Sequence, residues 1–300
     1  MLVDLLKQHK TISLIGMAKN VGKTTTLNHL INAFNKAGTS LALTSIGRDG
    51  ESTDIVTQTN KPQIYVHNNT VIATAEKLLN LCDITKEILH VTDINTPLGR
   101  VVVAKAKSAG FVQLGGPSIT SQVSQLLSLI TQDKAIVDGA LSRKTIANPS
   151  VTDATILCTG ASLNSNINLV LEQTRHTVDM LMLPRYNKDI KIDKDQKITK
   201  SDDTIYISGA VSDMLLNEIV LSTKTKAVTI VAEDPSKIFI KSGTYQKLKI
   251  KELNLAVQNS INLVALTVNP VSAYGYSFSK QELLQRVQDV VPIPVFDIGE

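Results

Sequence analysis

Apolar residues recur along this chain with two alternating periods. Ile12 to Ile15 form a β-branched and aliphatic run that reads as a buried strand. Beyond a glycine-bounded loop, Leu27, Leu30, Ile31 and Phe34 fall at helical spacing, and Lys36-Ala37-Gly38 reads as the helix stop. SLALTSIG is a second strand, and KPQIYV and TVIATA read as a hairpin-like strand pair around Asn68-Asn69. AEKLLNLC is a short helix, and EILHVTDI and RVVVAKAK are strands. LGGPSITSQVSQLLSLI is a glycine-rich turn entering a helix, with Ser118 as its N-cap and Val123, Leu126, Leu127 and Ile130 on its buried face. AIVD is a buried strand ending on Asp138-Gly139. DATILCTGAS is another, followed by a helix around NLVLEQTRHTVDML. Strands alternating with helices predict an α/β fold, a doubly wound and mainly parallel sheet with right-handed crossovers.

From Arg185 to Asp203 the pattern fades into Lys- and Asp-rich sequence, which reads as an exposed connector. Beyond it TIYISGA, AVTIVAED, INLVALTVNP and VPIPVFDI are strands, and SDMLLNEIVL and SKQELLQRVQDVV are helices. The second helix opens with Ser279 and Glu282 as a capping box. The expected organisation is a first domain of residues 1–186, a polar connector of 187–203 and a second, smaller α/β domain of 204–300.

The chemistry concentrates in GMAKNVGKTTT, where strand, glycine loop and helix follow one another as a phosphate-binding loop requires. Gly16, Lys19, Asn20, Val21, Gly22, Lys23, Thr24 and Thr25 are the expected nucleotide-binding residues. Glycines let backbone amides approach phosphate oxygens, and the helix N-terminus adds partial positive charge. Lys23 is expected to neutralise the β and γ phosphates, and Thr24 to offer its hydroxyl to Mg2+. Hydrolysis also needs acids at the strand ends beside the loop. Asp138 is the expected Walker-B-like carboxylate, holding the metal directly or through water. The loop GRDGESTD adds Arg48, Asp49, Glu51 and Asp54, with Asp49 a catalytic candidate and Asp54 a metal candidate; an exposed charged turn would read the same way. Ser118, Ser142 and Arg143 lie in glycine segments that could close over a second ligand, and TGAS (159–162) stands where related folds recognise the base. No guanine-selective NKxD follows an apolar strand, which favours ATP over GTP.

Composition narrows the classes. The chain has 300 residues, 43% hydrophobic and 19% charged, enough to bury real cores without disulfides. Trp is absent and the formal net charge is only +4, so a nucleic-acid partner is not expected. Cys82 and Cys158 lie in no metal spacing and read as small buried hydrophobes of a reducing compartment. His29, His67, His90 and His176 form no cluster in the sequence. The N-terminal MLVDLLKQHK carries an early Asp4 and no long apolar core, and no run is long enough to span a bilayer, so a cytoplasmic protein is expected. A homodimer stays open.

Gly16 and Gly22 have five residues between them where the common loop has four, and GMAKNVGKT resembles the longer loop of dethiobiotin synthetase and its relatives. Lys19 lies one place from the signature lysine of the partitioning ATPases in that branch, so their role for it is not transferred. Along most of the chain, GMAKNVGKTTTLNHLI, TSIGRDGE, TPLG, LGGPS, VDGALSRK, VTDATILCTGAS and the late VNP, YGYSF and PVFDI resemble a narrower family. It is the P-loop reactivase subunit associated with lysine 5,6-aminomutase. That resemblance implies an ATP-dependent helper that acts with a second, actin-like reactivase subunit to replace damaged cobalamin in an adenosylcobalamin-dependent aminomutase. GRDGE would be its switch and VNPVSAYGYSF its partner surface. Two other classes fit the same motifs: a small-molecule ligase resembling dethiobiotin synthetase, and a nucleotide-gated adaptor for cofactor insertion.

Overall fold

The computed structural model describes residues 1–47, 63–188, 197–201, 203–223 and 228–298. Arg48, Asp49, Glu51 and Asp54 lie outside the described residues, as does the side chain of Arg143. The chain forms two compact units, Met1–Val170 with Leu263–Glu300, and Leu171–Asn262.

In chain order the elements are β1 (Thr11–Gly16), α1 (Lys23–Lys36), β2 (Leu41–Ser45), β3 (Ile64–Val66), β4 (Val71–Ala75), α2 (Glu76–Leu79), β5 (Lys86–Thr96), β6 (Gly99–Ala106) and β7 (Gly110–Val112). Next come α3 (Thr120–Ser128), β8 (Lys134–Ala140), β9 (Ala154–Gly160) and α4 (Ile167–Leu181). The second unit holds β10 (Ile198–Lys200), β11 (Thr204–Ile207), β12 (Val211–Ser212), α5 (Asp213–Ser222), β13 (Thr229–Ala232), β14 (Ile238–Phe239), α6 (Ser242–Ile250) and β15 (Asn254–Val257). The chain then returns to the first unit with β16 (Leu263–Asn269), α7 (Lys280–Val290) and β17 (Val295–Asp297).

The first unit is built on a nine-stranded sheet of order β17-β16-β9-β1-β8-β2-β4-β6-β5. Every pairing from β17 to β4 is parallel, and β6 and β5 close one edge as an antiparallel hairpin. The central strands are buried on both faces, as parallel strands covered by helices must be. Ile12, Leu14, Leu43, Ile136 and Ile156 meet Leu27, Leu30, Ile31 and Phe34 of α1 in one core. Each such side chain contributes about 1.5–3 kcal/mol of transfer free energy. Gly38, with φ of +67°, ends α1 in a left-handed cap where a Cβ would be strained.

The expected mainly parallel α/β sheet is therefore present, but two expectations need correction. KPQIYV and TVIATA do not pair with each other. β3 pairs antiparallel with β7, whereas β4 joins the main sheet between β2 and β6. The expected boundaries 1–186, 187–203 and 204–300 also differ from the observed units. INLVALTVNP and VPIPVFDI leave the second unit and extend the nine-stranded sheet, because β16 is apolar on both faces and finds parallel partners in β9 and β17. The second unit has its own sheet, β10-β11-β13-β15, parallel except at β10, over a core of Ile205, Ile207, Leu216, Ile219, Ile230 and Leu255.

Candidate functional site

β1 ends at Gly16, and the loop to α1 is drawn tight by two left-handed residues, Asn20 (φ +62°) and Gly22 (φ +84°). Left-handed residues interspersed in a short loop turn successive amides toward one side, the geometry of an anion nest. Val21 is buried and pins the loop to the core. The absence of a side chain at Gly16 lets the loop close: a Cβ there would stand 3.3 Å from Val21 Cγ2 and 3.4 Å from Lys23 Cδ. At Gly22 an added Cβ would stand 3.0 Å from that of Asn269. The first turn of α1 itself carries no acidic residue, so nothing within the helix opposes its positive end.

The register of the sheet brings the acid to the base. β8 lies directly beside β1, with Asp138 opposite Leu14 on one side and Ser45 on the other. Lys23 Nζ stands 2.8 Å from Asp138 Oδ1, and both side chains are only 19% exposed. The strand runs on through Gly139 to Ala140 rather than turning at Asp138. A half-buried pair of this kind is tightly held, because little water competes for either charge. Thr24 and Thr25 follow in the first turn of α1, partly exposed, while Lys19 is exposed on the loop.

Beside the loop lies a cavity of about 450 Å³, bordered by Val21, Gly22, Thr25, His29, Asn269 and Ile298 among others. Asn269 closes the gap between β16 and the loop. Its Nδ2 donates to the Asn20 carbonyl at 3.1 Å, and its Oδ1 accepts from the Val271 amide at 3.1 Å. Ser162 Oγ donates to the same Asn20 carbonyl at 3.1 Å, and Tyr276 Oη donates to the Ala161 carbonyl at 2.9 Å. The TGAS segment therefore braces the loop, while the cavity wall comes from Thr267–Asn269 at the end of β16. Beneath the loop Thr26 Oγ1 pairs with Thr267 Oγ1 at 3.0 Å, and the Cys158 thiol donates to Thr26 at 3.6 Å. Burial pushes that thiol up to about 11, which makes it an inert packing group.

The structure thus brings Gly16, Lys19, Asn20, Val21, Gly22, Lys23, Thr24, Thr25 and Asp138 to the ends of adjacent strands. Ser118 is exposed and does not cap α3, whose N-cap position is Ile119. Gly116 is pressed onto the end of β2, where a Cβ would stand 2.0 Å from the Ser45 carbonyl oxygen, and the Gly47 amide donates to the Pro117 carbonyl at 2.8 Å. His67 and His176 each have a local partner, Asn32 Oδ1 and the Ile240 carbonyl, both at 2.7 Å. No group of three or more His, Cys, Asp or Glu side chains that could hold a metal occurs among the described residues. Sequence reading missed Asn269, Thr267 and Ile298, whose contribution depends on β16 and β17 rejoining the first sheet. The VNP tripeptide was the only local signal for them. No protein-family model matches this chain, and no curated protein matches it either.

Proposed function

We propose that this chain is a P-loop nucleotide-binding protein that hydrolyses ATP with Mg2+ and uses the cycle to act on a protein partner. The observation that carries the reading is the Lys23–Asp138 pair at 2.8 Å, set at the mouth of the strand–loop–helix and next to a cavity of about 450 Å³. A triphosphate tail among the loop amides would draw Lys23 from Asp138 onto the β and γ oxygens. Asp138 would then offer its carboxylate one strand away. Thr24 hydroxyl and Asp138 carboxylate are hard oxygen donors, the set that suits Mg2+, which uses one or two protein oxygens and completes its shell with phosphates and water. The bound metal would supply charge neutralisation on the phosphates. The nucleoside fits the cavity beside Thr25 and Asn269.

The partner follows from the resemblance. An adenosylcobalamin-dependent aminomutase that has lost its adenosyl group retains a dead cofactor, and a helper releases it only by binding an opened state preferentially. Nucleotide hydrolysis would reset that preference, together with a second reactivase subunit. One structural feature favours a ligase as the second reading. The Gly115-Gly116-Pro117 turn, Ser45 and Asp138 meet at neighbouring strand ends, where a small carboxylate substrate could face the γ phosphate. Turnover of ATP separates the two. The helper shows slow basal hydrolysis that rises when inactivated mutase is added. Phosphate release that requires a small carboxylate, and ignores the mutase, would replace the helper with the ligase. Failure to bind MgATP by calorimetry would remove both.

A further inference from the structure

The polar side chains lining the cavity beside the phosphate loop differ in what they have left to offer a ligand. Asn28 has both ends of its amide engaged: Nδ2 donates to the Gln63 carbonyl at 2.8 Å, and Oδ1 accepts from the Tyr65 amide at 3.1 Å. Asn269 is engaged at both ends by Asn20 and Val271, and Thr26 and Thr267 pair with each other. Asn32 Oδ1 accepts from His67 Nε2 at 2.7 Å, which leaves the Asn32 amino group as a donor. Neither the exposed His29 ring nor the Thr25 hydroxyl has a partner among the described residues. A ligand in the cavity therefore meets three uncommitted polar groups: the Thr25 hydroxyl, the His29 imidazole and the Asn32 amino group.

These groups stand in a row. Thr25, His29 and Asn32 follow one another at helical spacing along one face of α1. Thr25 lies in the first turn, next to the phosphate loop. His29 is about 6 Å further along the helix axis, and Asn32 about 4.5 Å beyond it. Val21, Val268 and Ile298 give the same cavity an apolar wall. A nucleotide whose phosphates lie in the loop leads its sugar past Thr25 into this row, while the flat base finds the apolar wall. The ribose cis-diol presents two adjacent hydroxyls, each a donor and an acceptor. A ring nitrogen of His29 suits one of them, and the Asn32 amino group donates to the other. Side chains three residues apart on a helix start only about 5–6 Å apart at Cβ, close enough to converge on one diol. We propose that His29 and Asn32 hold the two ribose hydroxyls of the bound nucleotide, which makes this a site for ribonucleotides. The proposal rests on the reading of the chain as a nucleotide-binding protein and adds the sugar it selects.

Calorimetry of the full chain with the Mg2+ complexes of ATP, 2′-deoxyATP, 3′-deoxyATP and tripolyphosphate tests it. The wild type is expected to bind ATP about tenfold more tightly than either deoxynucleotide. His29→Ala, at an exposed helix position, is expected to weaken ATP binding by about tenfold and to leave tripolyphosphate within about twofold. It should also erase the preference at one hydroxyl, and Asn32→Ala the preference at the other. Equal wild-type affinity for ATP and both deoxynucleotides overturns the proposal. So does a His29→Ala variant that loses ATP and tripolyphosphate alike, or one that keeps both hydroxyl preferences. If neither ATP nor tripolyphosphate binds the wild type, the phosphate loop itself fails and the diol contact falls with it.

Discussion

Lys23 and Asp138 neutralise each other where little water reaches either, so each has a structural duty as well as a chemical one. Lys23→Ala is expected to lower MgATP affinity by at least about a hundredfold, since it deletes the point charge on the β and γ phosphates. The same change removes the Lys23 ion pair from a half-buried Asp138, and stability should fall by about 1–3 kcal/mol in urea unfolding. A variant that keeps wild-type ATP affinity in calorimetry would show that Lys23 serves the fold alone. Asp138→Asn behaves differently. It preserves shape and one acceptor oxygen, so nucleotide affinity should stay within a few-fold while hydrolysis slows by about tenfold or more through poorer metal placement. Turnover equal to wild type would reduce Asp138 to a partner for Lys23.

At the scale of elements, the loop depends on how closely β9 and β16 approach. Gly160 lies opposite Asn269, and a Cβ on it would stand 2.2 Å from the Asn269 carbonyl oxygen. Gly160→Ala must part the two strands, and the expected cost is about 2–4 kcal/mol in urea unfolding. Asn269 would move with its strand and release the Asn20 carbonyl, so ATP affinity should fall too. Unchanged stability would mean the strands yield without penalty. This dependence explains what could be read beforehand. Strand, loop and helix from Thr11 to Lys36 are contiguous, and their periods and glycines declare them directly. Hydrophobic period names an element but not its neighbour. IYV could not show that it pairs with GFV rather than with VIATA, nor could LVALTVN show that it lies beside ATILCTG. Asn269 and the cavity wall were hidden for that reason, while Lys23 and Asp138 were legible from strand ends alone.

Across the whole first unit, the two ends of the sheet are built differently. The C-terminal ends hold the candidate site, whereas the N-terminal ends are clipped by carboxylates. Asp133 accepts from the Ser40 amide and hydroxyl at 2.9 and 2.7 Å, and Asp153 accepts from the Lys10 and Thr11 amides at 3.0 and 2.9 Å. The Ser40 hydrogen bonds hold Asp133 below the usual carboxylate range. For Asp153 burial pushes upward, and the Thr11 and Lys10 donors outweigh it. The exposed Asp4, beside Lys7, is lowered to about 2. Folded values below unfolded ones mean that this stabilisation is complete above the unfolded carboxylate range and is lost as pH falls through the folded values. Urea midpoints should therefore decline from about pH 4 toward pH 2, and Asp153→Asn should flatten part of that decline. A midpoint that holds constant down to pH 2 would count against the clips. The same scale resisted sequence reading most, since nothing in the polar stretch from Arg185 to Asp203 reveals that the first sheet resumes at Leu263.

That resumption has a consequence for how the molecule comes into being. β9 needs β16 on its flank, yet the ribosome must first make the whole of Leu171–Asn262, a wait of roughly ten seconds. Through that interval the nascent first half carries a bare, apolar strand margin and an unfinished pocket. The pocket would be completed only once Leu263–Asn269 has been made, and a product terminated before it would be a client for chaperones.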